Sequence, residues 1–530
     1  MKSVSGKITV LVMTFAMGLA ALAAYQKYTA PLPPPPKPVK DTLRIGLMEP
    51  ILSLHPNSFI PNSISSALFD QMVLRHDGQT GAGGYRNIAL ERMQVSADGK
   101  ECLVTLRKGM LFHNGEEVTS ADVAYSFRSQ LSENTLRFLS SLKYEVLGKY
   151  IIRLVVDESA DWGYVLGGDI LNEDYEKEHK ANLEGYIPMG SGPYKFVSYD
   201  KEKGIVKLER WEKYWAGPAP FKYVEFHSFP NSDAQTMALL EGRVDYGIYV
   251  NNEDINLIKV NDDIQILETE GMFLGLFTLN HKSPKLNDWR VRKALSLLIP
   301  REAIVASPNG LRGDGIATDT ILNLIPPVTK PELVDGFSPE KAMRLLNEAG
   351  YKLEDGKMMR NGQRLTMVIS FLENDVINAL GPLRMVAQAW NENGILATLR
   401  AKDISDIMKS VQGNNYDAVF EYRTDWIWSG SFKQEVVRYD SAVNNAHYIQ
   451  DGELEMAFDS FNAAQVSGAT EKERLELKKQ VQAQLRRISH IVPLFHTKCF
   501  FATRGLGNMQ KELAMEPYLL GYIFRPKLAF

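Results

Sequence analysis

The stretch from Glu101 to Leu131 constrains the fold more than any other part of the sequence. Glu101 to Leu106 alternates as a strand does, and Gly109 and Asn114-Gly115 supply turns where positive φ is needed. Thr119 with Asp122 three residues on forms a capping box, so a helix is expected to begin there. Val123, Phe127 and Leu131 recur at helical spacing and give it one apolar face. The segment is therefore strand–turn–helix.

The same logic extends along the chain. Leu43 to Leu47 is expected to be a strand, followed by the Pro-bounded loop Glu49 to Pro56. Gly190 to Pro193 forces a turn, Tyr194 to Tyr199 follows as a strand, and Val206 to Arg210 as its hairpin partner. A strand over 223–229 and a helix over 232–241 come next. Asn287 or Asp288 caps a helix whose buried face is Val291, Ala294, Leu295 and Leu298. After residue 276 the pattern is openly βαβ. Ser338-Pro339 opens a helix that Gly350 closes, Asn361-Gly362 turns a hairpin, and 365–371, 377–392 and 395–399 form strand, helix and strand. Such a unit implies a parallel sheet with a right-handed crossover.

A chain of 530 residues is too long for one ordinary core, so two or more lobes are expected. A net charge of −4 gives no electrostatic reason for a nucleic-acid partner. Cys102 and Cys499 fit no CxxC motif or metal site. They could pair in an oxidising compartment, and two separately buried thiols are the expectation. Lys2 and Lys7 precede an uncharged run from Ile8 to Ala24, and Ala21-Leu22-Ala23 offers a cleavage site before Ala24. The run (1–24) is a signal peptide or an uncleaved anchor, with no lipobox cysteine, and 25–40 is a stiff Pro-rich linker. Either reading makes the rest periplasmic or otherwise extracytoplasmic, with the membrane a partner only through that segment.

The strand–turn–helix wording Leu106 to Phe127 resembles the signature "LRKGVKFHDGTPFTAEDVVYSF" of the family 5 solute-binding proteins of ABC transporters, the oligopeptide, dipeptide and nickel binders. Gly190 to Phe196 with Tyr214-Trp215 is similar to that family's "GTGPYKFVEW…YWGG". Leu239 to Tyr246 is similar to "ALQSGEVDI", and the third block matches over Leu286 to Leu295. The resemblance implies an α/β, two-lobed periplasmic binding protein of the large type, with mixed sheets and a cleft between lobes. Lobe I would comprise 41–85, 186–275 and 496–530, with 86–185 as an inserted subdomain, and lobe II 276–495. It further implies closure about a hinge near 272–280 and 493–500.

Tyr416 to Phe432, counted back from its final Ser-Phe, is similar to the oligopeptide binders' "FDVARAGWCADYNEPTSF". In that group the Asp of "AD" receives the peptide's α-ammonium, which places the role at Asp425 and the preceding aromatic at Tyr422. A carboxylate facing a dry cleft is favourable when a cation pairs with it, and Arg423 is the internal alternative. Trp426 and Trp428 share a face at strand spacing and either line the cleft or cap the core. His496, in a stretch similar to the family's "PLYHS", is either structural or pocket-lining. His113 and Ser191 are expected to be turn residues rather than a metal ligand and a nucleophile.

The sequence holds no GxSxG elbow, HExxH, Walker A loop or CxxC pair. The expectation is thus a non-enzymatic, cofactor-free, monomeric receptor that delivers a peptide to ABC permease subunits. The alternatives are a receptor for a metal chelate, haem or oligosaccharide, or a membrane-tethered sensor with the same fold.

Overall fold

The computed structural model describes residues 41–48, 51–56, 60–76, 84–132, 142–157, 160, 162–179, 185–250, 254–321, 333–373, 379–423, 451–466, 470–506 and 524–525. Thr42–Leu47 forms β1, and Val73–His76 and Gly84–Asn87 pair as β2 and β3. Leu90–Val95, Glu101–Leu106, Lys143–Gly148 and Ile151–Val155 (β4 to β7) make an antiparallel sheet in the order β4-β5-β7-β6. Tyr194–Asp200, Ile205–Arg210, Tyr223–Ser228, Tyr246–Val250 and Ile264–Leu279 are β8 to β12, and Gly315–Ala317 is β13. Lys352–Glu354, Lys357–Arg360 and Gln363–Arg364 (β14 to β16) form a small sheet. Thr366–Leu372, Leu396–Lys402, Ala418–Arg423 and Ile491–Arg504 complete the set as β17 to β20.

The main sheet has eleven strands in the order β18-β17-β19-β12-β20-β11-β1-β10-β9-β8, with β13 beside β20. Two apolar clusters fill its two ends. One gathers Ile45, Tyr194, Phe226 and Phe501, and the other Phe277, Leu295, Ile369, Trp390 and Phe420. A third, with Val104, Phe112, Phe127 and Leu154, belongs to the four-stranded sheet and the helix Ser120–Ser132. At the start of that helix the Asp122 carboxylate reaches back as in one half of a capping box, accepting from Thr119 N (2.9 Å) and Thr119 Oγ1 (2.7 Å).

Most locally signalled elements form. Asp288 caps Trp289–Leu297, accepting from Arg290 N, and Gly350 takes φ +85° just past the helix Pro339–Glu348. Asn361 (φ +54°) and Gly362 (φ +73°) turn the β15–β16 hairpin. β17 and β18 pair in parallel across the helix Leu380–Glu392. The helices Gly452–Val466 and Glu471–Ile488, and the lengths of β12 and β20, had no counterpart in the sequence pattern.

The two most family-like turns dock on each other. His113 N donates to Gly190 O (2.8 Å), and its Nε2 lies 3.0 Å from Gly192 O. A Cβ at Gly190 would lie 1.9 Å from Leu68 O, and one at Gly192 2.7 Å from Ala67 O, so both glycines are required by close backbone approach. Cys102 and Cys499 are buried thiols in different clusters, and burial pushes Cys102 up to about 12 and Cys499 higher still. Among the described residues no helix is long and apolar enough to cross a membrane. Ile8 to Ala24 and the linker lie outside them.

Candidate functional site

Strand direction locates the site. β11 runs antiparallel to β20 from Tyr246↔Thr503 to Val250↔Phe500, so its C-terminal end points toward Cys499. β1 and β10 are parallel to β11 and point the same way. From the other side, β19 runs antiparallel to β12 from Ala418↔Leu279 to Arg423↔Leu274, and β17 and β18 are parallel to it. The carboxyl ends of both parallel sets therefore face one place, the middle of the β12–β20 pair. In open α/β sheets that is where ligands bind.

At that place the pairing is interrupted. Thr269 pairs with Cys499 and Phe273 with Thr497, so β12 uses four residues where β20 uses two. A second shift falls between Gly275 and Leu276. Bulges of this kind bend a strand and sharpen its twist. β20 also changes its outer neighbour here, from β11 at 500–503 to β13 at 495–497.

The aromatic lining is compact. Tyr422 is half-buried and lies 5.0 Å from Phe420, 6.2 Å from Phe273 and 6.4 Å from Phe495, ring to ring. Gly275 sits opposite Tyr422 on one side and Phe495 on the other. A Cβ there would be 2.7 Å from the Phe495 ring, so glycine lets the rings close over the strand.

His496 pairs with Leu274, one residue out of phase with the Phe495–Gly275–Tyr422 row. In a strand that places it on the opposite face, toward the cluster of Leu274, Leu454, Val481 and Leu485, and it is fully buried. Tyr422 and His496 are thus brought to the same junction and separated by the thickness of the sheet. Arg423 ends β19 opposite Leu274. Asp425, Trp426 and Trp428 lie outside the described residues, immediately beyond that strand end.

The remaining candidates are structural. His113 meets Trp211 edge-on at 5.9 Å, and burial pushes its pKa down to about 4, so it stays neutral. Ser191 is buried, and among the described residues its hydroxyl has no hydrogen-bond partner. Among the described residues no group of three or more His, Cys, Asp or Glu could hold a metal ion.

Sequence reasoning missed Gln235. It is fully buried on the helix Ser232–Leu240, which crosses from β10 to β11 over β1, and among the described residues its amide has no partner. Its side chain occupies the space a Cβ on Gly46 would need (2.9 Å) and approaches Gly247. The paired glycines Gly46 and Gly247 were the available signal.

These features define a class, a two-lobed binding protein whose site lies between opposed sets of strand ends. The chain belongs to the bacterial extracellular solute-binding proteins, family 5, whose model matches residues 85–445, more than half of it. It is 23% identical over 511 residues to heme-binding protein A of Haemophilus influenzae, covering 88% of this chain and 89% of that one. To the dipeptide-binding protein of Escherichia coli it is 24% identical over 364 residues, 62% of this chain and 65% of the relative. NikZ from Campylobacter jejuni, in complex with Ni(L-His), superposes with a TM-score of 0.74 at 19% identity, covering 88% and 94% of the two chains. The oligopeptide-binding protein AppA from Bacillus subtilis, in complex with a nonapeptide, gives 0.72 at 19%, covering 87% and 94%. At such identities the likeness establishes the fold.

Proposed function

We propose that the protein is the non-catalytic solute receptor of an ABC importer and that its solute is a peptide. The observation that carries this reading is the convergence of both sets of strand ends on the interrupted β12–β20 pair. Main chain there can hold an extended peptide as an added strand, which tolerates many side chains. Peptide-binding proteins among the relatives support the same choice. In this proposal 41–85, 186–275 and 496–530 form lobe I with 86–185 inserted, 276–495 forms lobe II, and closure turns on the shifted register. Permease subunits are the partner, the receptor is monomeric, and 1–24 exports or tethers it.

Asp425, two residues past β19 in sequence, is the proposed partner of the peptide ammonium, and Tyr422, Trp426 and Trp428 are proposed as further ligand contacts. Asp425→Asn should weaken peptide binding by roughly a few hundred-fold, from the ~3–5 kcal/mol cost of breaking a buried charge pair. N-acetylated peptides should lose a similar amount against the wild type and little more against the variant. Equal binding of free and acetylated peptides by the wild type would end the ammonium role.

A haem reading has one specific support, the haem-binding relative that matches 88% of the chain. Native mass spectrometry of the purified protein separates the two. Co-purifying peptides favour the first reading, and an empty pocket that takes up haem but no peptide favours the second.

A further inference from the structure

Asp70 follows the helix Asn62–Leu68 and is fully buried. Its carboxylate accepts from Tyr214 Oη (2.9 Å), Trp215 Nε1 (3.0 Å), and Arg525 Nε (3.2 Å) and Nη2 (3.0 Å). Arg525 lies 455 residues further along the chain and also donates to Phe69 O (2.9 Å) and Tyr214 Oη (3.0 Å). Phe524 is fully buried, its ring 5.3 Å from Tyr194 and 6.4 Å from Phe226.

The backbone around Asp70 is the seam between the main sheet and the four-stranded unit. Ile170 N donates to Asp70 O (2.9 Å), Val73 N to Leu166 O (3.3 Å) and Ile88 N to Met72 O (3.0 Å). The Asp169 carboxylate accepts from Ser65 Oγ and Gln71 Nε2 across the same seam. Burial raises the Asp70 pKa, and the Arg525 charge is the largest influence opposing that rise.

Until Arg525 docks, this carboxylate has only neutral donors among the described residues, and a buried charge without a counter-charge is strongly unfavourable. We propose that Arg525 is a late lock on the seam: the four-stranded unit reaches its native docking on the main sheet only after the chain through residue 525 is available. β20 is late for the same reason, since the half of the sheet that holds β1 and β11 and the half that holds β12 and β19 are joined through it. The lobe that holds Asp70 therefore stays open until residue 525 is in place.

Hydrogen exchange of the full-length protein tests this through the amides of Val73, Ile88 and Ile170. Arg525→Met should speed their exchange by about a hundredfold or more, the range expected when one member of a buried pair is removed. The amides of β17 and β18 should keep their rates. Asp70→Asn combined with Arg525→Met removes the uncompensated charge and should recover about tenfold or more of that loss. In pulse-labelled refolding of the wild type, the three seam amides should gain protection no earlier than those of β20. Unchanged seam exchange in the single variant, a double variant no better than the single, or a seam protected before β20 would each overturn the proposal. Should the single variant fail to fold, the double variant and the wild-type labelling carry the test.

Discussion

The two ends of the main sheet bury their cations differently. The end built from β1 and β8 to β11 is assembled from distant segments, and it closes on an ionic centre, Asp70 with Arg525. The end built from β17 to β19 comes from one stretch of chain, 366 to 423, with β17 between β18 and β19. Among the described residues, its buried guanidiniums bind carbonyl oxygens and one hydroxyl rather than carboxylates. Arg292 donates to Ile488 O, Leu286 O and Asn287 O, and Arg301 to Thr318 O, Pro493 O, Ser296 O and Ser296 Oγ. Burial pushes both down to about 10, still charged at neutral pH. A charge that arrives from far along the chain needs a dedicated counter-charge, whereas one placed by its own helix can clamp the carbonyls around it.

If the contrast is real, damage at one end should leave the other intact. The largest effect is expected from Gly190→Ala, whose Cβ would meet Leu68 O at 1.9 Å. It should cost about 3 kcal/mol or more, seen in denaturant unfolding, with protection lost at β1 and β8 and kept at β17 and β18. A cost below about 1 kcal/mol would show that the two turns can separate.

Arg301→Met probes the other end. It strands four acceptors and should cost about 2–3 kcal/mol, with exchange accelerated around β17 to β19 only. Equal acceleration at both ends would erase the distinction.

His113 sharpens the comparison through pH. Its folded pKa of about 4 lies below the ordinary 6.5, so the unfolded chain binds the extra proton between those values. Stability is therefore complete above pH 6.5 and lost as pH falls toward 4. The half-buried residue should give about 2 kcal/mol across that window. His113→Gln should flatten this part of the acid limb, and an unaltered limb would assign the loss to other groups.

The smallest effect is expected at Thr470, whose hydroxyl accepts from Glu473 N at the head of the helix Glu471–Ile488 while the Glu473 side chain reaches back. Thr470→Ala should lower stability by about 1 kcal/mol. The change belongs to the β17–β19 end, so seam amides should not respond.

What the sequence alone determined was whatever a few neighbouring residues decide. Asn361-Gly362 can turn a hairpin because both positions accept positive φ, Asp288 caps a helix two residues away, and the glycines of 190–192 mark a tight turn. The family blocks proved to be scaffold, in part over long range: Arg292 of the third block donates to Ile488 O, 196 residues away, where a helix ends and Ser489 takes φ +48°. Only the tertiary structure decided that β12 and β20 run through both ends of the sheet, that their register slips where the strand ends converge, and that Tyr422 and His496 occupy opposite faces. Neither the choice of strand partner nor the arrival of Arg525 at Asp70 leaves a mark on local periodicity. Both depend on which surfaces remain unpaired once the rest of the chain has packed, and that is a property of contacts hundreds of residues apart.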